Sequence, residues 1–232
     1  MAESEKHDIE QRVAAVLERI AKACETAGRA VSEVELVAVS KRKPPEAVRA
    51  ATAAGLVVFG ENRVQEAKEK IPSCPSGLTW HLIGHLQSNK VKVAVQLFEM
   101  IHSVDSAHLL EAINHACGTF GVTRQVLLQV NTAGDSAKYG LKPEELIPLL
   151  EKATAYHNVD VMGLMTMPPF AEDPEKVRVH FANTRKLRED AREKTGFPLE
   201  VLSMGMSHDM EVAIGEGATH VRVGTDIFGK RS

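Results

Sequence analysis

Short runs of β-branched and apolar residues recur along this chain, and between them apolar positions return every three or four residues. The first pattern predicts strands buried on both faces, and the second predicts amphipathic helices. Strands are expected at residues 36–41, 57–62, 79–84, 100–105, 125–131, 159–167, 200–207 and 220–228. Helices are expected at 45–54, 64–70, 89–98, 107–117, 143–156, 174–194 and 209–215. One more amphipathic helix, at about 9–27, precedes the first strand and ends at Gly28. Lys142-Pro143-Glu144-Glu145 and Asp173-Pro174-Glu175 place proline and acids in first turns, where the helix dipole favours them.

Strict strand–helix alternation calls for a parallel sheet with right-handed crossovers. Eight such units in 232 residues fit a closed (β/α)8 TIM barrel better than an open doubly wound sheet, because typical barrels run to about 250 residues. The last strand reads to residue 228, which leaves little chain for an eighth helix, so the opening helix is expected to fill that gap in the outer ring. No linker or low-complexity segment interrupts the pattern. The expectation is one α/β domain over residues 1–232, with its extra N-terminal helix at about 9–27 and its barrel at about 36–228.

Composition narrows the function classes. A hydrophobic fraction of 44% and a charged fraction of 25% are those of a soluble globular protein. A net charge of -3 and 4% aromatic residues provide neither the electrostatic footprint nor the stacking platforms of a nucleic-acid binder. No run reaches membrane-spanning length, and the start Met1-Ala2-Glu3-Ser4-Glu5-Lys6 is charged, unlike a signal peptide. Cys24, Cys74 and Cys117 are odd in number, widely spaced and outside any CxxC pattern, so they read as reduced thiols. A cytoplasmic protein without nucleic-acid or membrane partners is expected.

In a barrel of this type the C-terminal strand ends and the loops after them build the site. Every expected strand here ends in polar residues. Lys41 closes the first, after Leu36-Val37-Ala38-Val39-Ser40. An amine so placed either snorkels to water or, desolvated and beside other cations, attacks an aldehyde as a Schiff-base lysine. Ser207 precedes an expected helix start at His208-Asp209-Met210, and Gly224-Thr225 forms a second small-residue turn. Both read as a phosphate cradle, or as an N-cap serine and a glycine turn with no ligand. Arg222 alternates with Val221 and Val223, so it faces the lumen if they face the helices. There it needs a carboxylate partner or a ligand acceptor. His81 and His85 sit four apart but on a strand running into a loop, and HExxH is absent, so no metal site is expected.

Several runs carry a resemblance: Val37-Ala38-Val39-Ser40-Lys41 with Lys43-Pro44, Phe59-Gly60-Glu61-Asn62, His81-Leu82-Ile83-Gly84-His85-Leu86-Gln87, Gly163-Leu164-Met165-Thr166, Ser203-Met204-Gly205-Met206-Ser207, and residues 221–229 from Val221 to Gly229. Together and in this order they resemble the pyridoxal phosphate homeostasis protein family over essentially the whole chain. The resemblance implies a fold-type III barrel like the N-terminal domain of alanine racemase, with pyridoxal 5'-phosphate held as an aldimine on Lys41. It implies that Ser207, Gly224 and Thr225 hold the phosphate, that Arg222 approaches the ring nitrogen, and that Asn62 lines the ring's surroundings. Arg42 stands where many relatives carry threonine, and His208 precedes Asp209 at a variable place.

Two functions then compete. One is a non-catalytic carrier that buffers or delivers the cofactor, with apo pyridoxal enzymes as partners; the other is an amino-acid racemase-like enzyme. Such racemases resemble a barrel plus a β-rich domain that supplies a tyrosine, whereas this sequence ends just after the eighth strand and its tyrosines are Tyr139 and Tyr156. The carrier is expected, and as a monomer. Lys43, Lys90, Lys138 and Lys230 are the candidates for any secondary cofactor site.

Overall fold

The computed structural model describes residues 3–134 and 139–229. Its strands are β1 (Glu35–Val39), β2 (Val58–Glu61), β3 (Thr79–Leu82), β4 (Met100–Val104), β5 (Arg124–Gln129), β6 (Val159–Met165), β7 (Val201–Met206) and β8 (His220–Val223). They pair in parallel and in sequence order, and β8 closes back on β1. The expected (β/α)8 barrel is the observed one.

Period-two alternation explains why these runs form staves. Leu36, Ala38, Phe59, Leu82, Val221 and Val223 belong to the core between barrel and helices. Their alternates Val37, Val39, Val58 and Ile83 form a separate lumen cluster, and Met100, Leu127, Met165 and Val201 form another. A fully buried Val, Leu or Phe contributes roughly 1.5–3 kcal/mol, so both faces hold each stave in register. At other inward positions stand His81, His102, Ser203 and Arg222, all buried.

The outer ring holds α1 (Glu3–Thr26), α2 (Pro45–Ala53), α3 (Val64–Lys70), α4 (Val91–Leu97), α5 (Ala107–Phe120), α6 (Leu146–Ala153), α7 (Arg178–Thr195), α8 (Met210–Gly215) and α9 (Thr225–Phe228). α1 buries Ile9, Val13, Val16, Ile20 and Cys24 along one face and packs on α2, α8 and α9, filling the place expected for it. Cys24, Cys74 and Cys117 are unpaired thiols. Among the described residues no helix is long and apolar enough to cross a membrane.

Two boundaries depart furthest from the sequence reading, the others shifting by a few residues. α1 begins at Glu3 rather than near residue 9, because its polar first turns add helix without adding an apolar stripe. β8 stops at Val223, whereas residues 225–228 form the helical turn α9. The alternation of Val223, Thr225 and Ile227 mimics a strand, but the Phe228 and Gly229 amides bond back to Gly224 and Thr225. Ile227 and Phe228 join the core under the helices instead of the sheet.

Candidate functional site

The first stave ends in a held turn. Lys70 Nζ donates to Ser40 O (2.8 Å), Glu61 Oε1 (2.7 Å) and Glu66 Oε1 (2.8 Å), which satisfies all three ammonium protons. Ser40 Oγ donates to the same Glu61 oxygen at 2.7 Å. Glu66 also accepts the amide proton of Arg42, whose φ of 60° is left-handed. Lys41, half-buried, is therefore fixed at both of its peptide neighbours. Glu61 is fully buried with its second oxygen unbonded, and burial pushes its carboxyl above the usual range while Lys70 opposes that rise. This ion network was not legible in the sequence; the carboxylate inside Phe59-Gly60-Glu61-Asn62 was its one signal.

Lys41 and Asn62 line one cavity of about 230 Å³ with Arg42, Arg63 and Glu66. Asn62 also lines a second, of about 450 Å³, with Gly84, His85 and Lys90. A Cβ on Gly84 would lie 2.3 Å from the Asn62 carbonyl oxygen, so glycine alone lets the end of β3 close on Asn62. At β8 a Cβ on Gly224 would lie 3.3 Å from Val39 O, which sets this turn tightly against the strand that leads to Lys41.

Ser207 sits in the turn between β7 and α8. The N-cap of α8 is Asp209, not Ser207, and its Oδ1 accepts the Met206 amide proton at 2.7 Å. The N-cap serine offered as the ligand-free alternative is thus corrected: the carboxylate reaches back over the turn and Asp209 takes that position. Ser207's carbonyl accepts from Arg19 Nη2 at 2.9 Å, and Arg19 also pairs with Glu211 (2.7 Å) and Asp226 (2.5 Å). One side chain of α1 therefore ties the loop after β7 to α9. Gly224 is the N-cap of α9 and Thr225 its first residue, exposed at the surface. The predicted residues Lys41, Asn62, Ser207, Arg222, Gly224 and Thr225 fall on four consecutive staves, β7, β8, β1 and β2, five of them in the turns at the C-terminal ends.

Arg222 faces the lumen, as expected, at 4% exposure. It donates from Nη1 to Ser203 Oγ (2.5 Å) and from Nη2 to Thr166 O (3.0 Å). No carboxylate pairs with it among the described residues; Asp209 acts on it at longer range, and burial lowers its pKa to about 10. Below it, Ser203 Oγ lies 2.9 Å from His102 Nδ1, and His102 Nε2 lies 3.1 Å from His81 Nδ1. The His220 ring stands 6.1 Å from both histidine rings. Burial holds His81 down to about 3 and His220 to about 4, and it holds His102 well below its ordinary value. Sequence reasoning met Arg222, Ser203 and His81 separately and missed that they form a chain with His102. Their shared inward phase on β3, β4, β7 and β8 was the available signal.

His81 and His85 go different ways: His85 stands at the mouth, its Nδ1 3.2 Å from Asp105 Oδ2, with Tyr139 stacked on it at 3.9 Å. Tyr139 also borders a cavity of about 470 Å³ with Gln129, Met167, Phe170 and Met206. Tyr156 lies instead on the flank, beside Glu111 and Asn114. Lys43 Nζ donates to Phe228 O at 2.7 Å, and Lys90 borders the Asn62 cavity. Lys138 and Lys230 lie outside the described residues.

A family profile described as alanine racemase, N-terminal domain, matches residues 13–232. The pyridoxal phosphate homeostasis protein of Aquifex aeolicus is 46% identical over 222 residues, covering 95% of this chain and 97% of that protein. The structure of PipY from Synechococcus elongatus with pyridoxal phosphate bound superposes with a TM-score of 0.85 at 38% identity, covering 95% of this chain and all of that one. Alanine racemase of Clostridium difficile, at 15% identity and a TM-score of 0.75, shares the fold, and this chain covers 57% of it. The chain belongs to the family of pyridoxal phosphate homeostasis proteins, within the wider group that shares the alanine racemase N-terminal domain.

Proposed function

We propose that this protein binds pyridoxal 5'-phosphate at the barrel mouth, reversibly through Lys41, and buffers or delivers it rather than turning over a substrate. The observation that carries this reading is Arg222. A guanidinium buried in the lumen, held by one hydroxyl and one carbonyl and by no carboxylate among the described residues, is half of an interaction. A ring nitrogen or other acceptor above it supplies the other half. When bound, the cofactor contributes an electrophilic aldehyde carbon and an electron-withdrawing ring. Lys41 offers the amine; Ser207, Gly224 and Thr225 receive the phosphate; Asn62 borders the ring. The names of the close relatives support the homeostasis role, and the pyridoxal phosphate bound to PipY supports the choice of ligand.

The His85–Asp105 pair with Tyr139 stacked on it is the observation on the side of catalysis, since it puts an acid/base pair at the mouth. The two readings separate in one experiment. Protein loaded with the cofactor is mixed with an apo pyridoxal enzyme, and the recovered activity is followed. Racemase, transaminase and decarboxylase assays run in parallel. Delivery with amino-acid turnover near background is expected; turnover on the order of 1 per second that falls in Tyr139→Phe would replace the carrier with an enzyme.

A further inference from the structure

We infer that His81, His102 and Ser203 form a one-way hydrogen-bond relay across the lumen that aims Arg222 at the cofactor site; this rests on the role given to Arg222 above. Arginine can only donate, so Ser203 Oγ accepts from Arg222 Nη1. The hydroxyl's own proton then needs an acceptor in a buried place. Among the described residues His102 Nδ1 is its one remaining bonded atom. Were Nδ1 protonated, Ser203 would accept twice and its proton would be stranded, the costly outcome for a buried group. Ser203 therefore donates to His102 Nδ1, which places the His102 proton on Nε2. That proton is donated to His81 Nδ1, so His81 also carries its own on Nε2.

Every bond then runs away from the guanidinium. With Nη1 on Ser203 and Nη2 on the Thr166 carbonyl, two anchors set the plane of Arg222 before any ligand arrives. The charged and titratable groups that act on His102 are His81 on β3 and His220 and Arg222 on β8, and Asp209, in the loop after β7, acts in turn on Arg222. Deep burial keeps both relay rings neutral, with Arg222 adding to the effect at His102, so the background beneath Arg222 does not change across the physiological range. His102 and Ser203 are positioning residues: they act through Arg222 and do not reach the cofactor.

Long-range proton–nitrogen NMR of the imidazoles reads the relay directly in ligand-free protein from pH 5 to 8, with signals assigned through His81→Gln and His102→Gln. Both rings are expected as the Nε2–H tautomer with no titration. Ser203→Ala is expected to change the His102 ring signals and to move the pH response of the absorbance of bound pyridoxal phosphate. Ser203→Thr, which keeps the hydroxyl, restores both. An Nδ1–H tautomer at His102, a ring that protonates above pH 5, or His102 signals unmoved by Ser203→Ala overturns the relay. The wild-type spectrum decides the tautomers even if a variant folds poorly. If the tautomers match but the cofactor does not bind, the relay stands and the cofactor reading falls. If the cofactor binds and the tautomers are reversed, the relay alone falls.

Discussion

Lys70 spends its three protons on Ser40, Glu61 and Glu66, and so a lysine outside the mouth controls the backbone beside Lys41. Lys70 and Glu61 are almost fully buried, at 6% and 0% side-chain exposure. Removing one partner of such a pair costs about 3–5 kcal/mol because the other charge stays behind. Lys70→Met is expected to lose that much in chemical denaturation at pH 7.5, and Glu61→Gln added to it recovers most of the loss. Strictly additive losses would show that the two groups are not coupled. The positions of Lys41, just past the end of β1, and of Arg222, inward on β8, were legible in the sequence because a cation at or inside an apolar strand has few solutions. Their supporting partners were not. Ser203 and His102 stand 101 residues apart, and alternation tells which face a side chain takes but not which layer it shares with another stave.

At the scale of elements, α1 is tied through Arg19 to the loops of the proposed site. Arg19 joins Ser207 O, Glu211 and Asp226, so it sets the distance between the loop after β7 and α9. These are the loops proposed to hold the phosphate. Arg19→Met is expected to weaken binding of pyridoxal phosphate by about twofold to fivefold, the scale of a partly exposed ion pair, and to leave binding of pyridoxal unchanged. Equal loss for both ligands would mean that Arg19 matters to general stability and not to the cradle. The helix itself was plain in the sequence from its apolar stripe at Ile9, Val13, Val16 and Ile20, but Arg19 flanks that stripe, half-buried, and gave no sign of its partners. The overrun at β8 has a local cause. Val223, Thr225 and Ile227 keep strand phase through a turn that backbone hydrogen bonds wind into α9.

For the molecule as a whole, the polar lumen makes stability depend on pH. His81 and His220 are held to about 3 and about 4, and His102 is lowered as well, while in the unfolded chain each returns toward 6.5. The unfolded state therefore binds more protons below pH 6.5, and the stability these neutral rings contribute is present above that value and lost as pH falls toward their folded values. Each ring contributes a slope of about 1.4 kcal/mol per pH unit across that window. Glu61 and Asp209, pushed up by burial, act in the opposite sense, so the histidine contribution is read from the difference between wild type and a histidine variant. Denaturation midpoints measured between pH 7.5 and 5.5 are expected to fall, and His220→Asn should flatten the decline; a flat wild-type profile would contradict buried neutral rings.

One amine, Lys41 at the end of the first stave, is proposed to anchor the cofactor. Protein incubated with pyridoxal 5'-phosphate, reduced with borohydride, digested and mapped by mass spectrometry tests it in a single pass. A phosphopyridoxyl adduct on the peptide that carries Lys41 is the expected result, absent from a folded Lys41→Ala variant, which also loses the visible absorbance. An adduct of equal yield on another lysine in that variant, with the absorbance retained, would contradict it.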